Sequence, residues 1–409
     1  MEVGQKCLIA IYVLAPLAAV VRAVWLGRKG RRTAIPAVVS TVFMSLLLGA
    51  GLNAAYAFVA GGRVRGLQVL LSSYILMAVI VIMRAFSSTM ETGLRTLFNV
   101  RRGQPQTISL ALRAGAASLI RGLMLVMLGL PFVLASVMIF RPKIALRDDP
   151  QRQLGSAFQP VEFVTSDDVP IRAWWIPSET PTRDTVVVCH GLGANKSNQL
   201  TLAAHFLPAG FNVLIFDFRA HGESGGQITS FGDLERNDVL AAVHWLRTNR
   251  HEQSKRIFGV GASMGGAALL AAAGEDNDDA RAIDAIAVYG TYDSLYDLAA
   301  DIVTTRLPPP LDWLMMRVAL PIASLHAGTH LSKFAPIRAL DHIAPRPILF
   351  IHGTEDAIIP FARGEALYNA ASQPKYRLWI NKGDHNEIIN DPATGKIVSE
   401  FFKAAMSVI

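Results

Sequence analysis

The pattern of hydrophobic and polar residues divides the chain into two parts with different periodicities. In the first third, long apolar runs alternate with short basic stretches. Each run is long enough, or nearly so, to cross about 30 Å of hydrocarbon as a helix rising about 1.5 Å per residue. The runs cover residues 7–26, 34–59, 67–83 and 122–140. This pattern predicts an all-α transmembrane region of four helices within residues 1–143.

Other interpretations of these runs remain open. Any one of them could be a buried helix of a soluble protein, although four runs separated by basic loops favour membrane spans. The first run could also be an uncleaved signal sequence, although only Lys6 supplies a basic residue before it. Between the third and fourth runs, apolar residues recur at helical spacing beside arginines, as in an amphipathic helix lying on anionic headgroups. These residues are Phe86, Met90, Leu94, Leu97 and Phe98.

The rest of the chain changes period. After a polar linker at residues 144–160, short apolar runs alternate with helical patterns, which is typical of an α/β fold with a mostly parallel sheet. The predicted strands are 161–165, 169–176, 185–189, 212–216, 257–260, 285–289, 347–351 and 376–380. The predicted helices are 198–207, 234–248, 267–273 and 392–406. Residues 161–409 therefore form one predicted α/β domain.

One connection in this domain is too long for a plain loop. Residues 291–344 separate two predicted strands and contain an almost wholly apolar stretch at 311–325. We predict that this segment is a helical lid. It could line an acyl-chain pocket, touch a bilayer, or simply pack onto the sheet.

Composition supports a membrane region and excludes nucleic-acid binding. The 409 residues are 51% hydrophobic, with a mean hydropathy of +0.33, which is high for a soluble enzyme. Residues 1–143 hold 16 Lys/Arg and 2 Asp/Glu, a net charge of 16 − 2 = +14. Residues 144–409 hold 23 and 30, a net charge of 23 − 30 = −7. The positive charge therefore belongs to loops beside membrane spans and not to a nucleic-acid-binding face.

The basic residues also predict an orientation. Arginines and lysines cluster at residues 28–32 and 95–113, whereas only Arg63 and Arg65 lie in the hairpin between the second and third runs. The positive-inside rule then places both termini, and the C-terminal domain with them, on the non-cytoplasmic face. The basic residues within 141–147 argue against this orientation, and loss of one span would invert it.

A Gly-x-Ser-x-Gly sequence lies between a predicted strand and a predicted helix. Its defining residues are Gly261, Ser263 and Gly265. This is the context of a nucleophile elbow, in which a strained turn holds the serine hydroxyl clear of the sheet. The two glycines let neighbouring backbone pass close by. The alternative is a glycine-rich turn with a bystander serine.

A serine nucleophile needs a base, a carboxylate that orients the base, and donors for the oxyanion. Asp356 follows the predicted strand 347–351, at the edge where active-site groups gather in parallel sheets, and Glu355 is the competing carboxylate. His385 follows the last predicted strand after a Gly-Asp turn and is the predicted base. The order Ser, acid, His is the one expected for this strand–helix scaffold.

The oxyanion donors are predicted from the loop after strand 185–189, which reads His190-Gly191-Leu192-Gly193. Its glycines let the backbone approach a substrate, and the Leu192 amide could pair with the Met264 amide as an oxyanion hole. A plain turn is the alternative. We predict that His190 braces the loop and is not a second base.

Five motifs together resemble the α/β-hydrolase superfamily. They are His190-Gly-x-Gly, Asp217-x-Arg-x-His-Gly-x-Ser, Gly261-x-Ser-x-Gly-Gly, His352-Gly-x-x-Asp356 and Gly383-Asp-His385. The pattern is most similar to membrane-anchored hydrolases of the serine-aminopeptidase-like and monoacylglycerol-lipase-like groups, and it covers residues 155–409. The resemblance implies a Ser–Asp–His triad, an eight-stranded sheet, and a lid before the acid-bearing strand. Ala220 departs from the glycine that the family usually has before His-Gly, and residues 1–143 lie outside the resemblance.

These features predict a membrane-bound serine hydrolase that needs no metal or organic cofactor. Ser263 would attack an ester, thioester or amide, His385 would shuttle the proton, and water would hydrolyse the acyl-enzyme. The apolar lid and the membrane region favour a lipid or another small acyl ester as substrate, with membrane lipids as partners. The alternatives are a serine peptidase that acts on short peptides and a non-catalytic membrane scaffold or receptor.

Overall fold

The structure is a computed structural model that describes residues 21, 42–43, 66–98, 108–309, 311–386 and 391–406. The chain divides into two compact units. The first, the helical unit, comprises Met1–Ala55, Gly66–Phe140 and Pro309–Gly328. The second, the sheet unit, comprises Tyr56–Arg65, Arg141–Pro308 and Thr329–Ile409. Each unit is therefore assembled from separate stretches of the chain.

One mixed sheet organises the sheet unit. Its strands are β1 (Gln159–Val164), β2 (Pro170–Ile176), β3 (Asp184–Cys189), β4 (Asn212–Phe216), β5 (Arg256–Ala262), β6 (Ile283–Tyr289), β7 (Ile348–Gly353) and β8 (Lys375–Ile380). The eight strands lie in the order β1-β2-β4-β3-β5-β6-β7-β8. β2 pairs antiparallel with both β1 and β4, and the remaining pairs are parallel. The predicted eight-stranded, mostly parallel sheet is confirmed.

The central strands are apolar throughout because both faces of the sheet are covered. All residues of β3 and β4 are buried, and neighbours along each strand contribute to different cores. Val187 and Leu214 belong to the core on one face, whereas Val186 and Val213 belong to the core on the other. This period of two within a continuous apolar run is expected of a parallel sheet between helical layers.

The described α-helices belong to both units, and those of the sheet unit alternate with its strands as predicted. They are α1 (Gly66–Leu97), α2 (Ile108–Met124), α3 (Leu130–Ile139), α4 (Pro150–Leu154), α5 (Leu200–Phe206), α6 (Arg236–Asn249), α7 (Met264–Ala273), α8 (Asp278–Arg281), α9 (Leu295–Arg306), α10 (Leu311–Leu314), α11 (Leu320–Ala327), α12 (Phe361–Ala370) and α13 (Pro392–Met406). The alanines and leucines of α7 favour a helix and leave it almost wholly buried. The chain therefore continues from the end of β5 into a buried helix.

The membrane prediction for residues 1–143 needs correction. The predicted spans 7–26 and 34–59 lie almost wholly outside the described residues. Within the described part, one helical stretch, Leu76–Leu97, is long and apolar enough to cross a membrane by length and composition, so a region of four spans is not supported. The run 122–140 is divided between the end of α2, a π-helical turn at Leu125–Gly129, and α3. No single α-helix therefore covers it.

Two further predictions differ from the structure in their boundaries. The third run and the amphipathic segment after it form one continuous helix, α1, and not a span followed by a surface helix. The predicted lid 291–344 does not form one body either, because Pro309–Gly328 clusters with the helical unit and the rest with the sheet unit. Inside the helical unit, the imidazole of His326 lies 3.0 Å from the Ser136 hydroxyl and packs edge-on against Phe132.

Candidate active site

Ser263 occupies a strained turn between β5 and α7. Its φ of +53° and ψ of −118° lie in a region that residues with a Cβ rarely adopt. Close packing explains the flanking glycines. A Cβ at Gly265 would lie 2.4 Å from the Cys189 carbonyl oxygen, and one at Gly261 would lie 2.6 Å from the Gly265 carbonyl oxygen. Only glycine fits either position, which is the physical reason for the Gly-x-Ser-x-Gly spacing.

Asp356 and His385 form a buried hydrogen-bonded pair. The distance from Asp356 Oδ2 to His385 Nδ1 is 2.6 Å. The other carboxylate oxygen, Oδ1, accepts the amides of Ile358 and Ile359 at 2.9 and 2.8 Å. Glu355, the competing carboxylate, is exposed to solvent. The imidazole therefore donates from Nδ1 to Asp356, which leaves Nε2 as the nitrogen that can accept a proton.

The surroundings keep this carboxylate ionised. Burial alone would raise the pKa of Asp356, but hydrogen bonding and charge from His385, with the two amides, bring that pKa below its ordinary value. An ionised Asp356 can stabilise a protonated His385, as a base in acyl transfer requires.

The loop after β6 lies against both Ser263 and the Asp356–His385 pair. The Ser263 amide donates to the Tyr289 carbonyl at 2.8 Å, and the Thr291 hydroxyl donates to the Ser263 carbonyl at 3.3 Å. Between these two residues, a Cβ at Gly290 would lie 3.0 Å from His385 Cε1 and 3.2 Å from Asp356 Oδ2. Ser263, Asp356 and His385, which follow β5, β7 and β8, thus all lie against the loop 289–291.

Within the described residues, no hydrogen bond joins the Ser263 hydroxyl to the His385 imidazole. Such bonds are often long in enzymes without substrate and tighten in the substrate complex. The structure therefore pairs Asp356 with His385 and holds Ser263 against the loop that also lies against this pair.

The predicted oxyanion donors lie next to the serine. A Cβ at Gly191 would be 3.4 Å from the Ser263 Cβ, so the 190–193 loop contacts Ser263 at Gly191. Met264 is the first residue of α7, where an amide has no acceptor within the helix. Neither the Leu192 nor the Met264 amide donates a hydrogen bond elsewhere in the described structure. Both can donate to a substrate oxygen.

His190 and His221 hold the 190–193 loop. His190 donates from Nδ1 to the Gly191 carbonyl at 2.7 Å and accepts the Phe218 amide at Nε2 at 3.0 Å. Burial lowers the pKa of His190 to about 3, so the ring is neutral. The Gly193 amide donates to His221 Nε2 at 3.2 Å. His190 thus uses both nitrogens in bracing the loop and has none left for proton transfer.

Sequence reasoning missed Lys196. Its ammonium group is buried and bonds to Asp217 at 2.6 Å and Glu223 at 2.9 Å, above the ring of Trp174. The Lys196 amide also donates to Asp217, at 2.7 Å. These contacts tie the chain just after the 190–193 loop to the turn 217–225. A single loop lysine is usually exposed, so nothing local in the sequence indicated this position.

The structure also explains the departure at Ala220. Its φ is +59°, in the left-handed region that favours glycine, which accounts for the glycine expected there from the resemblance. As for metals, the described residues place no group of three or more His, Cys, Asp or Glu side chains where they could hold an ion.

Comparison with known proteins agrees with this geometry. A family model described as the alpha/beta hydrolase fold matches residues 184–335. The uncharacterised protein YqkD of Bacillus subtilis is 34% identical over 213 residues, which cover 51% of this chain and 66%, just under two thirds, of that protein. A monoacylglycerol lipase of Mycolicibacterium smegmatis is 27% identical over 245 residues, 53% of this chain and 86% of the lipase. The solved structure of the Pyrococcus furiosus esterase Pf2001 matches with 26% identity and a TM-score of 0.53, over 64% of this chain and 98% of the esterase.

Proposed function

We propose that the sheet unit is an α/β-hydrolase domain that acts as a serine esterase, with Ser263 as nucleophile, His385 as base and Asp356 as orienting acid. One observation carries the proposal: the buried Asp356–His385 pair lies against the same loop as a serine held at a left-handed turn. Strain of this kind persists where surrounding contacts enforce it, and it is concentrated at active sites.

The proposed reaction proceeds through an acyl-enzyme. The Ser263 hydroxyl attacks the ester carbonyl carbon while its proton passes to His385 Nε2. The carbonyl oxygen becomes an oxyanion that accepts the Leu192 and Met264 amides. His385 then returns its proton to the departing alcohol, and a water molecule, activated by the same imidazole, releases the carboxylic acid. The low pKa of Asp356 keeps its charge available to the imidazolium in both steps.

We propose an acyl ester with a long apolar chain, such as a lipid ester, as the substrate class. Two observations support it: one relative is named a monoacylglycerol lipase, and the helical unit exposes many large apolar side chains. Esters of increasing acyl length, assayed beside aminoacyl amides, test the class. Faster turnover of the amides, with no preference among the esters, would favour the peptidase alternative.

The nucleophile has a direct test. Ser263→Ala should abolish labelling by a fluorophosphonate probe and lower kcat by roughly a million-fold, because the triad acts as a unit. Asp356→Asn should lower kcat by about ten thousand-fold through the wrong imidazole tautomer. Glu355→Gln is the matched control and should retain activity, since that carboxylate is exposed. Labelling that persists in Ser263→Ala would remove Ser263 from this role and leave the scaffold alternative.

We also propose that the helical unit attaches the enzyme to a bilayer, with the hydrolase domain on the non-cytoplasmic face. The candidate span Leu76–Leu97 and the excess of arginine and lysine in residues 1–143 support this proposal. Protease added to intact cells should digest the C-terminal domain as completely as protease added to permeabilised cells. Protection in intact cells would reverse the orientation.

A further inference from the structure

Phe231 adopts a backbone conformation that bulky residues avoid. Its φ is +60°, and it is the one aromatic residue at positive φ in the described part of the chain. A Cβ and a ring make this region unfavourable, so an aromatic residue found there is an outlier that needs a cause. Ser263, the proposed nucleophile, is another residue with such a φ. Strain at this second position directs attention to what surrounds it.

A buried glutamate enforces the conformation. Glu235 is fully buried, and Oε1 accepts the Thr229 hydroxyl at 2.8 Å and the Ser230 amide at 2.9 Å. Oε2 accepts the Ser230 hydroxyl and, at 2.8 Å, the Gly232 amide. From the other side, the Tyr292 hydroxyl donates to the Phe231 carbonyl. The backbone is therefore held immediately before and after Phe231, as well as at its own carbonyl.

This loop, residues 229–232, lies against the nucleophile helix. The Thr229 hydroxyl oxygen is 3.6 Å from the Met264 sulfur, beside the residue that supplies a proposed oxyanion donor. A Cβ at Gly232 would lie 3.2 Å from the Ala268 amide nitrogen, in the N-terminal part of α7. Tyr292, which holds Phe231, directly follows the threonine that donates to Ser263. The strained residue thus belongs to the immediate surroundings of the active site.

The Phe231 ring is only half-buried, and it makes no ring contact with another aromatic side chain among the described residues. Four hydrogen bonds to a buried carboxylate thus maintain a strained turn whose side chain contributes no ring pair to the core. We propose that Phe231 determines acyl specificity, with its ring forming an apolar wall against the acyl chain of the ester and Glu235 acting as the positioning residue. This inference rests on the proposed esterase function and adds the group that selects its substrate.

Phe231→Gly provides the main test, because glycine removes the ring and tolerates the positive φ. The Tm should be no lower than that of the wild-type full chain. The ratio of kcat/KM for the p-nitrophenyl octanoate ester to that for the acetate should fall at least about 10-fold, the scale expected for loss of an apolar pocket contact. Phe401→Ala, which removes a half-buried ring from α13, is the matched control and should leave the ratio within twofold.

Glu235→Gln tests the positioning role. The side-chain nitrogen of glutamine only donates, so it can accept neither the Ser230 hydroxyl nor the Gly232 amide. The ring should then lose its fixed position, and the octanoate-to-acetate ratio should fall although the ring is present. A purely structural glutamate would lower the Tm and leave that ratio unchanged. An unchanged ratio in a folded Phe231→Gly, or an equal loss for both esters, would overturn the role of Phe231 while leaving the esterase proposal intact. A wild-type chain that neither turns over esters nor reacts with a fluorophosphonate would overturn both.

Discussion

The sheet unit buries most of its large apolar side chains, whereas the helical unit exposes many of its own. In the sheet unit, four phenylalanine rings form a fully buried cluster, to which α13 contributes one ring. They are Phe206, Phe211, Phe258 and Phe402. In the helical unit, α2 exposes Leu112, Leu119 and Leu123, each more than half accessible. These leucines recur at a spacing that places them on one helix face. The sheet unit thus buries most of its large apolar side chains, whereas α2 leaves a row of leucines accessible.

The ion pairs of the two units also differ in where they lie. The sheet unit buries an ion pair, Lys196–Asp217, and surrounds it with hydrogen bonds. In the described stretch of the helical unit from α1 to α3, Glu91 is the one carboxylate, and it pairs with Arg95 and Arg121. Ion pairs connect loops around the active site in one unit and adjacent helices in the other. Both units thus use pairs of basic and acidic side chains, but these pairs connect different kinds of element.

The largest effect that separates the units should come from the buried ring cluster. Phe402→Ala should destabilise the sheet unit by about 3–5 kcal/mol, because it removes contacts to four other rings and leaves a cavity. Leu119→Ala in the helical unit should change stability by less than about 0.5 kcal/mol, since its side chain is exposed. Denaturant unfolding of both variants, followed by circular dichroism, measures the difference. Equal destabilisation would remove the contrast between the units.

A somewhat smaller effect tests the apolar surface itself. If α2 contacts lipid, Leu119→Lys should cost about 2.5–3.5 kcal/mol of membrane insertion near the helix centre, because the ammonium group leaves water. We expect a larger fraction of this variant to be extracted from membranes by alkaline carbonate. Leu119→Ile is the matched control and should remain in the pellet. Identical extraction of the two variants would mean that this face of α2 is not in lipid.

The smallest effect concerns pH and belongs to the sheet unit. Burial holds the pKa of His190 at about 3, whereas an unfolded histidine titrates near 6.5. The unfolded chain therefore binds the extra proton between these values. The stability from neutral His190 is complete above about pH 6.5 and is lost as the pH falls towards about 3. In His190→Gln, the free energy of unfolding should decline less steeply between about pH 7 and 5, and an unchanged slope would contradict the buried neutral ring.

The sequence allowed the sheet and the candidate catalytic residues to be predicted because their signals are local. Strand patterns have a period of two or are continuously apolar, and the glycines around Ser263 follow from backbone clashes within a few residues. Lys196, Glu235 and Phe231 were not predicted, because their burial or strain depends on partners from loops elsewhere in the chain. In the helical unit, hydropathy located apolar runs but could not show that α1 continues to Leu97.

Pro309–Gly328 belongs to a different unit from the rest of the connection between β6 and β7, and this affects the design of truncated fragments. Leu314, Met315 and Ala323 of this insertion are buried. The insertion belongs to the same unit as the helices α1 to α3. A recombinant fragment that starts after the N-terminal third would retain the insertion but lose those helices. Its apolar side chains would then face water and promote aggregation. A fragment limited to the sheet unit therefore requires two deletions, one at the N-terminus and one between β6 and β7.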